Sequence, residues 1–352
     1  MLKLSQFDYQ LPLELIANEP ASPRDASKLM VIDRRGPVGH HIFRDLPGLL
    51  KPDDVLVFNQ TKVFPARLYG QKTTGGKVEI LLLALLGSNT WEAISSPGLK
   101  VDQIVTFDPG FQAEVLSVDR DGVTKLQFNI SGPAFWQKLD KLGIVPLPPY
   151  IKNTQPQPVV RKEYQTVYAK ETGSAAAPTA GLHFTPELLG ELGKSGIELG
   201  YLTLHVGLGT FKPVTSEKIE QVVLHKERYF LPEDVAERLN KAKELGRRVI
   251  SVGTTTCRVL EGCSKNGKLV PGEGETSLFI KPPYKFQFVD GLITNFHLPK
   301  SSLLMLVSAF ACAPNTEALF TDFSETVIGK AYREAIKNKY RFFSFGDASL
   351  II

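Results

Sequence analysis

Cysteine is scarce: Cys257, Cys263 and Cys312 are the three in 352 residues. An odd number without C-x-x-C spacing argues against both a disulfide framework and a zinc site. A reducing, cytoplasmic setting fits that usage. Long apolar runs are missing as well, since the greasiest stretch, 303–313, contains Ser308 and is too short to cross a bilayer. The first residues lead into Asp8 and Glu14 rather than an apolar signal core, so neither export nor a membrane partner is expected. Blocks of one charge are also absent. The net charge of +4 comes from scattered Lys and Arg, which neither requires nor excludes a nucleic-acid partner. No H-E-x-x-H, P-loop or G-x-S-x-G motif occurs, and no metal is expected.

With 43% hydrophobic and 22% charged residues, the chain has the composition of a globular protein long enough for about two domains. Between 54 and 143, short strand patterns at 55–58, 78–83, 91–94, 103–107, 113–118 and 124–128 are separated by turns such as Thr74-Gly75-Gly76 and Asp121-Gly122. Six strands at that spacing predict a small antiparallel barrel, which closes to remove its edges. The proline-rich segment 143–158 reads as a stiff connector. Beyond it strands alternate with helices: helices starting at Thr185-Pro186 and Pro232, after Ser301 and after Ser324, and strands at 198–205, 248–252, 277–280, 292–296 and 341–345. That order predicts an α/β fold, a helix-covered sheet onto which 7–46 also packs.

The junction Val252-Gly253-Thr254-Thr255-Thr256-Cys257-Arg258 runs from a strand through one glycine into a helix with three hydroxyls at its start. Helix starts carry unpaired N–H groups and the positive end of the macrodipole, so a carboxylate, a phosphate or a ribose hydroxyl fits there. Thr254 acting only as a helix cap is the competing reading, and on spacing alone the cap is favoured. Four of six histidines, His183, His205, His225 and His297, fall in turns rich in Gly, Thr or Pro, a placement that suits an active site. Gly207-Leu208-Gly209-Thr210 is half of a dinucleotide fingerprint but lacks the third glycine and a clean helix start, which disfavours hydride transfer.

Six ordered blocks carry a resemblance: Asp54-Val-Leu-Val-Phe-Asn-Gln-Thr-Lys-Val-Phe-Pro-Ala-Arg67, Tyr164-Gln-Thr-Val-Tyr168, Ala177-Pro-Thr-Ala-Gly-Leu-His-Phe-Thr185, Leu204-His-Val-Gly-Leu-Gly-Thr-Phe211, Gly253-Thr-Thr-Thr-Cys-Arg258 and Gly291-Leu-Ile-Thr-Asn-Phe-His-Leu-Pro299. Together they resemble the S-adenosylmethionine:tRNA ribosyltransferase-isomerase family of queuosine biosynthesis, over essentially the whole chain. The resemblance implies a barrel (59–151) inserted in a discontinuous α/β domain (1–58 and 152–352). It also implies transfer and isomerisation of the ribosyl part of S-adenosylmethionine, as co-substrate, onto 7-aminomethyl-7-deazaguanine at the wobble position of a tRNA with a GUN-type anticodon. Epoxyqueuosine is then the product, adenine and methionine leave, and a cytoplasmic monomer is expected.

Such a reaction needs a proton acceptor for the attacking amine and help for departing adenine. His183, His205 and His297 are expected to line the reaction centre, with His225 and Glu227 nearby. Thr254, Thr255, Thr256, Arg258, Gly207, Gly209 and Thr210 are expected to hold the co-substrate, with Tyr284 or Phe279 stacking on adenine. Asn59, Lys62 and Arg67, at the root of the barrel, are the candidate RNA contacts, hinge structure being their other reading. Two further classes stay open: an S-adenosylmethionine-dependent RNA methyltransferase and a non-catalytic RNA-binding barrel protein.

Overall fold

The computed structural model describes residues 2–148, 150–151, 155–207 and 216–352. A nine-stranded sheet has the order Gly272–Thr276, Glu227–Leu231, Glu198–Leu204, Val55–Asn59, Val249–Val252, Gly291–Asn295, Ala348–Ile351, Lys28–Ile32 and Val38–Ile42. Its four central members, from Glu198–Leu204 to Gly291–Asn295, run parallel, and antiparallel pairs flank them. The α/β expectation holds.

Alternation along Val55–Asn59 shows how the sheet is covered. Val55 and Val57 enter one core with Leu202, Leu239, Val259, Leu306 and Ile328, on the face of helices Glu233–Glu244, Thr254–Cys263, Ser302–Phe310 and Val327–Lys337. Leu56 and Phe58 enter the opposite core with Phe43, Phe184, Leu188 and Leu192, on the face of helix Pro186–Lys194. A strand buried on both faces must be apolar throughout, and Val-Leu-Val-Phe is.

The barrel is closed and antiparallel, in the order Val123–Phe128, Thr90–Ser96, Lys77–Leu85, Arg67–Lys72, Ile104–Asp108 and Phe111–Val118. Val55–Asn59 is therefore not one of its strands, as the turn spacing had suggested. The sixth barrel strand is Arg67–Lys72, whose polar sequence hides it and whose Gly70 faces Val105 and Phe107. Helix Gly132–Leu142 plugs the barrel with Phe135, whose ring lies 5.4 Å from that of Trp91. Chain entry and exit run side by side: Thr61–Val63 pairs with Glu171–Ser174, and Arg67 bridges to Ile144.

Other sequence expectations need correction. No strand forms at 277–280 or 341–345, and the last strand is Ala348–Ile351. Thr326, not Ser324, caps the helix that follows, its hydroxyl accepting from the Gly329 N–H. Thr185 and Ser301 do cap their helices.

Candidate functional site

A cleft opens beyond the carboxyl ends of Glu198–Leu204, Val249–Val252 and Gly291–Asn295, where open α/β sheets place their ligands. Its lining includes Thr179, Thr254, Thr255, Thr294, Asn295, His297 and Ser344, all without formal charge when His297 is neutral. Gly253, not Thr254, is the N-cap of helix Thr254–Cys263, with φ +90° and ψ 150°. That conformation is nearly confined to glycine. Its N–H is held by the Ile293 carbonyl at 2.8 Å, while the N–H groups of Thr254 and Thr255 find no acceptor among the described residues. The helix start thus points unspent donors at the cleft. Thr256 faces away, its hydroxyl donating to the Val252 carbonyl at 2.8 Å.

His297 lines this cleft and is held on three sides. Its Nε2 lies 2.9 Å from the Thr294 hydroxyl, its N–H donates to the Tyr332 hydroxyl at 3.0 Å, and its carbonyl accepts from the Tyr9 hydroxyl at 2.5 Å. His183 sits one layer below. Its Nδ1 is 2.8 Å from the Ser27 hydroxyl and its Nε2 is 3.2 Å from the Asn295 amide, whose oxygen accepts from Thr179. The ring stacks on Phe43. His183 therefore reaches the cleft through Asn295. On the far side Phe343 holds φ +73°, a strained conformation for an aromatic residue and one that concentrates at ligand sites.

Burial pushes both imidazoles down to about 3, with Arg341 and Arg24 adding to the effect at His183. Neither is a standing acid at neutral pH. A cationic ligand would gain from this, because an imidazolium 4 Å from another cation would repel it by about 4 kcal/mol at an effective dielectric of 20. Stability must follow pH accordingly. The unfolded chain binds a proton at each site below about 6.5 and the folded one does not, so stability rises with pH from about 3 to 6.5 and is lost as pH falls through that window. His183→Asn and His297→Asn are each expected to flatten the slope of unfolding free energy by about 1.4 kcal/mol per pH unit, read from urea midpoints between pH 4 and 6.

A second cleft adjoins the first across Leu303, which borders both. His225, Glu227, Arg258, Leu278, Phe279, Ile280 and Leu306 help line it. Glu227 and Arg258 are 4% and 5% exposed and form an ion pair, and Glu227 also accepts from the Gly207 N–H at 3.2 Å. His225 is exposed at its rim. His205 lines neither cleft. Its Nδ1 lies 2.9 Å from the Thr61 hydroxyl, and its ring packs against Gly173 so closely that a β-carbon there would meet it at 2.6 Å. Burial lowers its pKa, with Arg228 assisting and Glu171 opposing.

Phe279 borders the second cleft, whereas Tyr284 donates its hydroxyl to Glu261 at 3.1 Å. Gly209 and Thr210 lie outside the described residues. Asn59 is buried, its amide bonded to Leu204 and Thr61, so its polar atoms are spent inside the fold. Lys62 is exposed, and Arg67 pairs with Glu79 at 3.1 Å. Among the described residues no group of three His, Cys, Asp or Glu is placed to hold a metal ion, and no helix is long and apolar enough to cross a membrane.

Sequence reasoning missed Ser27, Thr294 and Asn295 as partners of the two buried histidines, and Thr179 as the partner of Asn295. Ser27 and His183 are 156 positions apart, a separation no spacing rule captures. It also missed Glu261, a buried carboxylate that accepts from the N–H groups of Gln287, Phe288 and Val289 and so anchors the loop before Gly291–Asn295.

A three-layer α/β fold with a polar cleft at its strand ends and a barrel emerging beside it defines the class: an enzyme scaffold carrying an accessory β-barrel. A family model described as queuosine biosynthesis protein matches residues 4–351. The S-adenosylmethionine:tRNA ribosyltransferase-isomerase of Thermus thermophilus is 51% identical over 99% of each chain, and that of Thermotoga maritima is 47% identical over all of each chain. A crystal structure of S-adenosylmethionine tRNA ribosyltransferase from Thermotoga maritima is similar with a TM-score of 0.55 and 38% identity, covering 99% of this chain and all of the other. The chain belongs to the queuosine biosynthesis protein family.

Proposed function

We propose that this protein is an S-adenosylmethionine:tRNA ribosyltransferase-isomerase that modifies the wobble 7-aminomethyl-7-deazaguanine of a tRNA with a GUN-type anticodon. The carrying observation is whole-length identity near 50% to relatives bearing that name, joined to a cleft whose polar residues come from the same blocks of sequence. The aminomethyl nitrogen bonds to a ribosyl carbon, the carbon–sulfur bond to methionine and the glycosidic bond to adenine break, and the ribosyl carbons and ring oxygen reorganise into the epoxide-bearing carbocycle of epoxyqueuosine as protons leave the amine and the carbon beside the sulfonium. S-adenosylmethionine is the co-substrate, and the two adjoining clefts are its site. Thr254 and Thr255 offer it helix N–H groups and hydroxyls, and the neutral His297 ring is the proton acceptor we favour in the cleft lining. His183 and Asn295 position the opposite wall, while His205 supports the barrel root through Thr61.

The barrel unit, 59–151, projects from the sheet beside this site, and Lys62 and Arg67 at its root are the RNA contacts we favour. The protein works as a cytoplasmic monomer in this reading. Incubation with precursor-bearing tRNA and S-adenosylmethionine is expected to release free adenine and methionine. S-adenosylhomocysteine would instead indicate methylation, and tRNA binding without turnover would indicate a non-catalytic barrel protein.

A further inference from the structure

The two clefts differ in chemistry. Among the described residues the first is lined by threonines, Asn295, Ser344 and a neutral histidine, with no carboxylate, lysine or arginine. The second joins one buried ion pair, Glu227 with Arg258, to an apolar wall of Leu278, Phe279, Ile280 and Leu306. Arg258 is an unusual element of the second wall, because its Nε is buried without a hydrogen-bond partner among the described residues. A guanidinium presents five donors, and leaving one unmet costs about 1–3 kcal/mol unless a ligand meets it. Replacing a buried ion pair by apolar residues is often neutral or stabilising, so packing alone gives little reason to keep one here.

Helix Thr254–Cys263 links the clefts. Thr254 and Thr255 face the first, and Arg258 lies on the second about 5 Å further along the helix axis. Leu303 stands between them. The arrangement suits one ligand with a neutral, hydroxyl-rich end and a zwitterionic end on a short aliphatic arm.

We propose that the second cleft holds the amino-acid arm of S-adenosylmethionine, Arg258 facing its α-carboxylate and Glu227 its α-ammonium, while the first cleft holds the adenosyl part. This rests on the functional reading above and adds the direction in which the co-substrate lies. The reverse orientation would place both charges of the zwitterion against neutral side chains, and a buried charge without a partner is expensive. It would also bring the adenine edge onto an ion pair already engaged with itself. In the proposed direction the four charges alternate, and the methylenes cover Leu278 and Leu306.

S-adenosylhomocysteine and 5′-methylthioadenosine test this, because both are neutral at sulfur and they differ only in the amino-acid arm. Their dissociation constants are measured by calorimetry in the presence of precursor-bearing tRNA. Wild-type protein is expected to bind S-adenosylhomocysteine at least tenfold more tightly. The double variant Glu227→Gln/Arg258→Met, which leaves no lone buried charge, is expected to lose that preference while binding 5′-methylthioadenosine within about twofold of wild type. Leu278→Trp, which narrows the second cleft without touching the ion pair, is expected to weaken S-adenosylhomocysteine alone. Equal loss for both nucleosides, or an undiminished preference in both variants, would overturn the orientation while leaving the activity in place. Wild-type protein that binds neither nucleoside and releases no adenine would overturn the function and the orientation together.

Discussion

Glu227→Ala alone is expected to lower the unfolding free energy by about 3–5 kcal/mol, because Arg258 stays buried and charged with nothing opposite it. Glu227 lies on strand Glu227–Leu231, near the edge of the sheet, and Arg258 lies in the second turn of helix Thr254–Cys263. Their bond therefore ties the edge of the sheet to the helix whose first turn forms the cleft. Gly207 is tied in as well through its N–H, so losing the carboxylate also orphans a backbone donor. The double variant Glu227→Gln/Arg258→Met restores neutrality and is expected to recover most of that loss. Urea midpoints measured at pH 7 for wild type, single and double variant decide it. A single variant within 1 kcal/mol of wild type would show that the buried pair is not what holds this edge.

How much of this was legible beforehand depended on whether the physics was local. Val55 to Phe58 read as a strand because both faces are buried and the residues are all apolar, yet nothing local says which sheet receives it. Arg67–Lys72 went unread because its outward residues are polar and its inward Gly70 carries no side chain to signal a core. The Gly253 turn was legible as a strand-to-helix junction, and it lines the first cleft; its backbone at φ +90° makes Gly253, not Thr254, the cap. Histidines in turns picked out His297, which lines the first cleft, and His183, which bonds Asn295 of the same lining. His205 carries the same sequence signature but supports the barrel root, because Gly173 leaves a flat bed for its ring there. Glu227 and Arg258 were named separately. Their union is tertiary, since the two residues lie 31 positions apart on a strand and a helix that meet only once the sheet has formed.

Removing the His297 ring is expected to have the largest effect on turnover. His297→Ala should slow adenine release by a hundredfold or more if the ring takes the proton of the attacking amine, the scale at which positioned acids and bases contribute. The geometry supports that role. Thr294 on one ring nitrogen, with Tyr9 and Tyr332 on the backbone, leaves the ring a single orientation toward the cleft. Burial pushes its pKa down to about 3, which keeps the ring neutral in the free protein but also weakens it as a base, so the role rests on its placement in the cleft. The activity profile should consequently show no limb from His297 between pH 5 and 8, because its titration lies below that window. Affinity for 5′-methylthioadenosine is expected to change by less than about threefold, since this ligand makes no demand on proton transfer. Thr294→Val keeps the ring but frees its orientation, and should fall between wild type and His297→Ala. A limb near pH 6.5 in wild type that vanishes in His297→Ala would overturn the low pKa and not the role, whereas adenine release within about threefold of wild type in His297→Ala would overturn the role itself.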